Sequence, residues 1–231
     1  MIMKKEFRIL DFNQLKKELD RYKFKQLHIH HTWKPEHKDF RGNNHITMQQ
    51  GMYNYHVNSN GWQDIGQHLT LFPDGKWVTG RPFNIAPASI KNWNTGALAV
   101  EMIGNFDTGN DKLDGKQKEE ILLLIKYFID KYGEQSIKFH REGPGVTKTC
   151  PGTSLDKSKL IHEAKNLGKV NNMAKLENWQ KVQGEKALDS LNKKKDNDGN
   201  PIVNSPEDWK TKLSENIPGW LFWSIIDRIS K

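Results

Sequence analysis

Apolar and polar residues alternate along most of the chain with two periods, one typical of helices and one typical of strands. Residues 117–132 give the clearest helical pattern, because apolar side chains recur there at intervals of three or four. The run from Ala97 to Ile103 is apolar except at Glu101, a pattern typical of a central strand. A long helix and a buried strand are therefore expected here, with one acidic side chain inside the strand.

Shorter patterns predict the other elements around these two. Asn13 is a candidate N-cap for a helix over residues 14–22, and Asn43 or Asn44 can cap a helix that runs through Tyr55. Pro73-Asp74-Gly75 lies between two short apolar runs, which predicts a β-hairpin. Further strands are predicted over 24–30, 68–72, 76–79 and 136–140, and a further helix over 155–167. Strands that alternate with helices indicate an α/β domain of residues 1–168.

The pattern changes after this domain. Residues 169–175 have the composition of a linker, and residues 175–231 show mostly helical spacing. Ser205 followed by Pro206 is typical of a helix start, and the apolar segment from Trp220 to Ile229 predicts a last helix. The sequence therefore predicts a small all-helical C-terminal domain.

Asp196 to Asn200 begins like a calcium-binding loop. The sixth position of such a loop needs a glycine with a special backbone geometry, but Pro201, whose φ is fixed at about −65°, stands there. We therefore predict a turn between two helices and no calcium site.

Composition limits the class of protein. With 231 residues, 35% hydrophobic and 28% charged, the chain can form a packed core. No stretch reaches the roughly 18–20 apolar residues that a membrane span needs. Met1 to Phe7 is not followed by an apolar segment, so we expect that the protein has no signal peptide, is made in the cytoplasm and does not insert into a membrane.

Cys150 is the one cysteine of the sequence, which excludes an intrachain disulfide. It is therefore a buried hydrophobic residue, a nucleophile or a metal ligand.

The net charge of +8 has two interpretations. A basic surface favours polyanionic partners such as nucleic acid, anionic lipid or a bacterial cell wall, and it also keeps a protein soluble. The charges are dispersed, and the longest run is Lys193-Lys194-Lys195. Because nucleic-acid binding proteins concentrate their lysines and arginines on one face, we predict no nucleic-acid partner.

Histidine and cysteine residues lie where predicted strands end. The pair His30-His31 ends one predicted strand, His140 ends another, and Cys150 follows ten residues later. Two imidazoles and one thiolate form a three-ligand zinc set, which leaves the fourth tetrahedral position open for water or a substrate oxygen. The sequence therefore predicts a catalytic zinc site, with packed histidines and a buried free thiol as the alternative.

Two charged residues accompany this set, and each has two interpretations. Glu101 in its apolar strand is either a general base for a water at the metal or half of a buried ion pair with Arg81. Lys148, two residues before Cys150, either stabilises the oxyanion formed when water attacks an amide carbonyl or is a solvated loop lysine.

Five motifs, in this order, resemble the phage-lysozyme-type amidases, which share a fold with peptidoglycan-recognition proteins. The motifs are Leu27–Thr32, Asp64–His68, Asp74-Gly75 with Thr79–Arg81, Ala99–Gly104, and His140 with Cys150-Pro151-Gly152. The resemblance spans roughly residues 24–160. It implies a mixed central sheet flanked by helices, a groove over a zinc ion, and hydrolysis of the amide bond between N-acetylmuramic acid and L-alanine in bacterial peptidoglycan.

The resemblance also assigns roles to residues. It implies that His30, the first of the pair, binds zinc with His140 and Cys150, that Lys148 is the catalytic lysine, and that Glu101 is the base. This chain departs from the pattern at Gln67, where several members have a catalytic tyrosine. Because glutamine does not titrate, the tyrosine's role is either absent here or taken over by Glu101.

Other functions stay open. A cysteine peptidase usually has its cysteine before its histidine in the chain, whereas His30 and His140 both precede Cys150. A non-catalytic peptidoglycan-binding protein typically lacks one zinc ligand, and this chain has all three. The C-terminal module is expected either to bind the cell wall or to form a homodimer. We expect the protein to reach the wall after release through a membrane hole or on lysis.

Overall fold

The computed structural model describes residues 5–167, 178–203 and 205–210. They belong to two compact units, and the first unit ends at Leu167. In the first unit the strands are β1 (Ile9–Leu10), β2 (Gln26–His31), β3 (Leu69–Leu71), β4 (Trp77–Thr79), β5 (Ala97–Met102) and β6 (Ile137–Phe139). Its α-helices are α1 (Phe12–Leu19), α2 (His45–Asn54), α3 (Gly115–Tyr132) and α4 (Lys157–Asn166). Short helical turns occupy His37–Asp39, Tyr55–Ser59, Glu134–Ser136 and His140–Glu142.

The six strands form one mixed sheet in the order β1-β4-β3-β5-β2-β6. β2 lies parallel to β5 and β6, β3 lies parallel to β5, and β4 is antiparallel to β1 and β3. In this register His30 and Thr70 both lie directly beside Glu101. Because directly paired residues point to the same face of a sheet, these three side chains share one face.

The opposite face carries the main hydrophobic core. Leu27, Ile29 and Val100 are fully buried there and pack with apolar side chains of α1, α3 and α4. A smaller cluster around Met52 and Val78 packs α2 against the hairpin of β3 and β4 on the other face. Helices thus cover both faces, and the expected mixed sheet flanked by helices is confirmed.

Most predicted elements form, with two differences at the N-terminus. β1 was not predicted, because a strand of two residues leaves no readable alternation. The prediction of Asn13 as N-cap was wrong: α1 begins at Phe12 after Asp11. The Asp11 carboxylate accepts a bond from the Gln14 amide, and the Gln14 side chain accepts one from the Asp11 amide, which satisfies both ends of a capping box. Asn44 is the residue that precedes α2.

In the second unit the structure describes α5 (Asn178–Asn192) and α6 (Pro206–Lys210). Between them the Asp196 carboxylate accepts bonds from the amides of Asp198 and Asn200, at 3.1 and 2.8 Å, so that the predicted turn is formed. The predicted last helix, 220–229, and the predicted linker lie outside the described residues. The domain limits 1–168 and 175–231 therefore stay predictions. Of the helices in the described part of the chain, none is long and apolar enough to cross a membrane.

Candidate active site

A pocket of about 930 Å³ opens on the sheet face that carries His30 and Glu101. Its walls come from the end of β2, the turn after α2, the segments 66–67 and 88–89, and the loop 147–150. All five residues that the sequence analysis assigned to the site line this pocket: His30, Glu101, His140, Lys148 and Cys150.

Three potential metal ligands converge in the pocket. The donor atoms of His30, His140 and Cys150 all lie within 4.8 Å of one another. The Sγ atom of Cys150 is 3.6 Å from Nδ1 of His30, and the rings of His30 and His140 are 4.5 Å apart. His30 lies in β2 and His140 directly follows β6, which pairs with β2, so the sheet itself brings the two imidazoles together.

The loop that carries Cys150 is fixed by Arg141. The Arg141 amide donates to the carbonyl of Cys150 at 2.8 Å, and the guanidinium donates to the carbonyls of Gly152 and Leu155 at 2.7 and 2.6 Å. Since Arg141 directly follows His140, the same segment holds two of the three potential ligands in place.

The protonation states of the three groups fit a bound cation. Burial lowers the pKa of His30 well below its usual value, and burial and the positive charge of Lys148 lower that of His140. Both imidazoles are therefore neutral near pH 7 and can offer a lone pair. Burial raises the pKa of the Cys150 thiol to about 12. A thiolate at this position therefore needs a nearby cation, and a donor set of two imidazoles and one thiolate fits zinc.

Glu101 lies beside His30 across the β2–β5 pair. Burial raises its pKa to about 7, and the positive charge of Lys148 acts in the opposite direction. The alternative of an ion pair with Arg81 was wrong, because Arg81 donates instead to the carbonyls of Ile65 and Ala86, both at 2.8 Å. The Glu101 carboxyl thus faces the pocket with a pKa near neutrality, as a proton-transfer group requires.

Lys148 is exposed at the pocket wall. Its positive charge lowers the pKa of both Glu101 and His140, which places its ammonium group within electrostatic reach of the site. Gln67 is buried in the same wall, and its amide donates to the Thr70 hydroxyl at 3.0 Å. Gln67, which stands where several family members have a tyrosine, is therefore held by Thr70, the strand neighbour of Glu101.

His31 and Trp33, which follow His30 closely in the chain, also line the pocket. Trp33 is 54% exposed, with a φ of 57° that is uncommon for a tryptophan. His31 is buried, and its Nδ1 accepts a bond from the Phe106 amide at 3.1 Å. Tyr55 and Trp62, which the sequence analysis missed, are also exposed at the pocket wall.

Three nearby side chains, those of His68, Trp93 and Asn94, support the structure around the pocket without lining it. His68 is fully buried between the Ile85 carbonyl and the Ala99 amide. The Trp93 ring lies under the Lys138 ammonium at 5.3 Å. The Asn94 side chain accepts bonds from the amides of Ser89 and Ile90, at 3.1 and 3.0 Å, and so fixes a loop of the pocket wall.

Fold and site together define a protein with a candidate metal centre on one face of a mixed sheet. The family model described as N-acetylmuramoyl-L-alanine amidase matches residues 20–153, and the chain belongs to this family. The resemblance drawn from the five sequence motifs is thereby confirmed.

Individual relatives agree with this assignment. Peptidoglycan-recognition protein SC2 of Drosophila melanogaster is 36% identical over 112 residues, which are 48% of this chain and 59% of that protein. The endolysin of Escherichia phage T7 is 26% identical over 109 residues, 44% of this chain and 70% of the endolysin. Among solved structures, PGRP-SA of Apis mellifera has the same fold, with a TM-score of 0.50 and 22% identity over 58% of this chain and 80% of that one.

Proposed function

We propose that this chain is a zinc-dependent amidase that hydrolyses the bond between N-acetylmuramic acid and L-alanine in bacterial peptidoglycan. The observation that carries the proposal is the complete donor set of His30, His140 and Cys150 beside Glu101 in one open pocket. Membership of the amidase family supports the substrate class.

Each group of pocket residues has one role in the proposed reaction. A zinc ion held by His30, His140 and Cys150 would supply Lewis-acid polarisation of the amide carbonyl. The Glu101 carboxylate takes a proton from the attacking water and delivers it to the leaving nitrogen. The Lys148 ammonium stabilises the negative charge that develops on the carbonyl oxygen.

Two other functions are weaker candidates. A cysteine peptidase needs a reactive thiolate, but burial raises the pKa of Cys150 to about 12. A non-catalytic peptidoglycan-binding protein has no need of three converging metal ligands together with a carboxyl group whose pKa lies near 7. Both observations support a metal-dependent hydrolase.

Digestion of purified peptidoglycan with mass analysis of the products tests the function. We expect new L-alanine amino termini and muramic acid residues without a stem peptide, and we expect a chelator to stop their release and added zinc to restore it. New reducing ends would indicate a glycosidase. Cell walls that bind the protein without any cleavage would indicate a binding protein instead.

Lys148→Ala is expected to lower kcat on the order of 10²-fold, because an oxyanion would lose one stabilising charge. Zinc content should be unchanged, since Lys148 is not one of the three donors. Lys126→Ala is the matched control, because this lysine pairs with Asp130 on the surface of α3. Unchanged kcat in Lys148→Ala, measured on soluble muropeptides, would show that Lys148 is only a solvated loop residue.

We propose that residues 175–231 raise affinity for the cell wall without taking part in the chemistry. All residues that line the pocket belong to the first unit. A tethered wall-binding module can improve apparent binding by roughly 10²–10⁴-fold. A truncation ending at Leu167 should therefore keep zinc and cleave soluble muropeptides normally, but lyse intact walls more slowly. A truncation that is monomeric while the full chain is dimeric, with an isolated tail that does not co-sediment with walls, would support dimerisation instead.

A further inference from the structure

A chain of hydrogen bonds runs from Gln26 to His30 along the sheet face that carries the pocket. The Gln26 Oε1 atom is 2.9 Å from Nε2 of His28, and Nδ1 of His28 is 3.0 Å from Oγ of Ser89. The same Oγ is 2.6 Å from Nε2 of His30. His28 and His30 share a face because they are two positions apart in β2, and Ser89 reaches them from a loop.

The far side of the His30 ring faces the donor cluster. Its Nδ1 atom lies 3.6 Å from Sγ of Cys150, so Nδ1 is the nitrogen placed to bind a metal. A ligating nitrogen must carry a lone pair, and in a neutral imidazole the proton then resides on the other nitrogen. His30 is therefore ready for a metal only when its proton is on Nε2.

The direction of every bond in the chain follows from that requirement. A proton on Nε2 of His30 donates to the Ser89 hydroxyl, which is then free to donate to Nδ1 of His28. His28 must then carry its own proton on Nε2, and this proton is accepted by the amide oxygen of Gln26. All four groups are satisfied in this direction, and His28 is fully buried, so each lost bond would leave a buried polar atom without a partner.

The opposite direction places a proton on the His30 nitrogen that faces the metal site. If Gln26 presented its NH₂ group to His28, the protons of His28 and Ser89 would both point toward His30. His30 would then hold its proton on Nδ1, between the ring and Cys150, where it blocks the lone pair. The orientation of the Gln26 amide and the tautomer of His30 are therefore coupled, although the two side chains do not touch.

Ser89 is well placed to transmit this selection. Its own amide and that of Ile90 both donate to the Asn94 side chain, which fixes the loop that carries the hydroxyl. Outer groups of this kind set the tautomer and orientation of metal-binding histidines, and their loss typically weakens metal binding by about 10- to 100-fold.

We propose that Gln26, His28 and Ser89 form a tautomer relay that holds the lone pair of His30 Nδ1 toward the metal site. The three are positioning residues, because they act through His30 and not on the substrate. The proposal rests on the zinc site of the proposed function and adds to it the residues that prepare one ligand.

Zinc affinity of the full chain, measured by competition with a chelator, tests the relay. Ser89→Ala should bind zinc about 10- to 100-fold more weakly, and Ser89→Thr, which keeps the hydroxyl, should recover most of the affinity. Ser136→Ala is the matched control, because this buried serine donates to the Gly133 carbonyl at 2.7 Å and touches no ligand. Gln26→Glu should keep wild-type affinity, since a carboxylate only accepts, whereas Gln26→Met should lose affinity, though less than Ser89→Ala.

Nitrogen-15 NMR of the imidazole groups in metal-free protein gives an independent result. We expect the His30 proton on Nε2 in the wild type and in Gln26→Glu, and a mixture of tautomers in Ser89→Ala. A wild-type His30 with its proton on Nδ1, or zinc affinity unchanged in Ser89→Ala, would overturn the relay. A wild-type protein that binds no zinc would instead contradict the metal site on which the proposed function depends. Failure of the proposed function and failure of the relay are thus distinguishable.

Discussion

Cys150→Ser is expected to leave the protein almost free of zinc and to abolish peptidoglycan hydrolysis. A serine hydroxyl stays protonated at neutral pH and is a poor zinc ligand, so the substitution leaves two imidazoles where three donors converge. Loss of a Lewis acid removes several kcal/mol of transition-state stabilisation, which corresponds to a fall in kcat/KM of about 10³-fold or more. Metal analysis after dialysis and the rate of amide cleavage measure the two effects.

Histidine substitutions provide the control for this experiment. His140→Gln should lose zinc in the same way, because it removes another of the converging donors. His45→Gln should keep zinc, since His45, the first residue of α2, is buried away from the donor cluster and pairs with Asp74. Full zinc occupancy in Cys150→Ser would remove Cys150 from the set of ligands and leave it as a buried hydrophobic residue.

The parts of the site that were predictable from the sequence are those written into local patterns. Glu101 interrupts an apolar strand, and the alternation of side chains in β5 then places it on the face opposite Val100 and Met102. His30 and His140 occur at the ends of two strands, and those strands pair in parallel. The pairing of these strands brings the two histidines, which are far apart in the sequence, into one cluster.

Residues that depend on contacts between distant segments were not predictable in this way. Ser89 is 61 residues from His28 and lies in a segment without periodic pattern, so no local signal connects it with the histidines. A weak signal did exist in His28 itself, because its distance of two from His30 puts both rings on one face. The partners of Arg81 were misjudged for the same reason, since its carbonyl acceptors at 65 and 86 belong to loops.

Element ends were less predictable than element types. Asn13 and Asp11 are both good N-cap residues, and the choice between them depends on whether Gln14 can close the capping box. Asp11 has Gln14 at the required spacing of three, a local signal that identifies the cap. The two residues of β1 form a strand only because β4 is present to pair with them.

Glu101→Gln is expected to lower kcat by about 10²-fold or more while zinc stays bound. A general base typically contributes roughly 10²–10⁴-fold, and glutamine has nearly the same shape but accepts no proton. Glu119→Gln is the matched control, because this glutamate is exposed on α3 and does not line the pocket. Near-normal kcat in Glu101→Gln would make Glu101 structural and require another base.

The pH dependence should change in the same variant. A general base acts in its ionised form, so with Glu101 in the proposed role the activity of the wild type should fall as the pH drops through the pKa of this carboxyl group. Burial raises that pKa to about 7 in the metal-free protein, against the opposing charge of Lys148, and a bound cation would lower it from there. The acidic limb of the wild-type kcat/KM profile should therefore lie near or below pH 7. In Glu101→Gln the residual kcat/KM should no longer fall with the pKa of a carboxyl group at this position.

Stability should move in the direction opposite to activity. The pKa of Glu101 is raised on folding from 4.5 to about 7, so the folded state binds this proton more tightly than the unfolded chain. The folded protein is therefore destabilised as the pH rises from about 4.5 to about 7, and the cost persists above that range. Glutamine carries no charge and avoids this cost. Metal-free Glu101→Gln should thus have a higher Tm than the wild type at pH 8 and a similar Tm at pH 4. A lower Tm at pH 8 would mean that the carboxylate has a stabilising partner in the pocket, which would contradict its role as a base kept ready by burial.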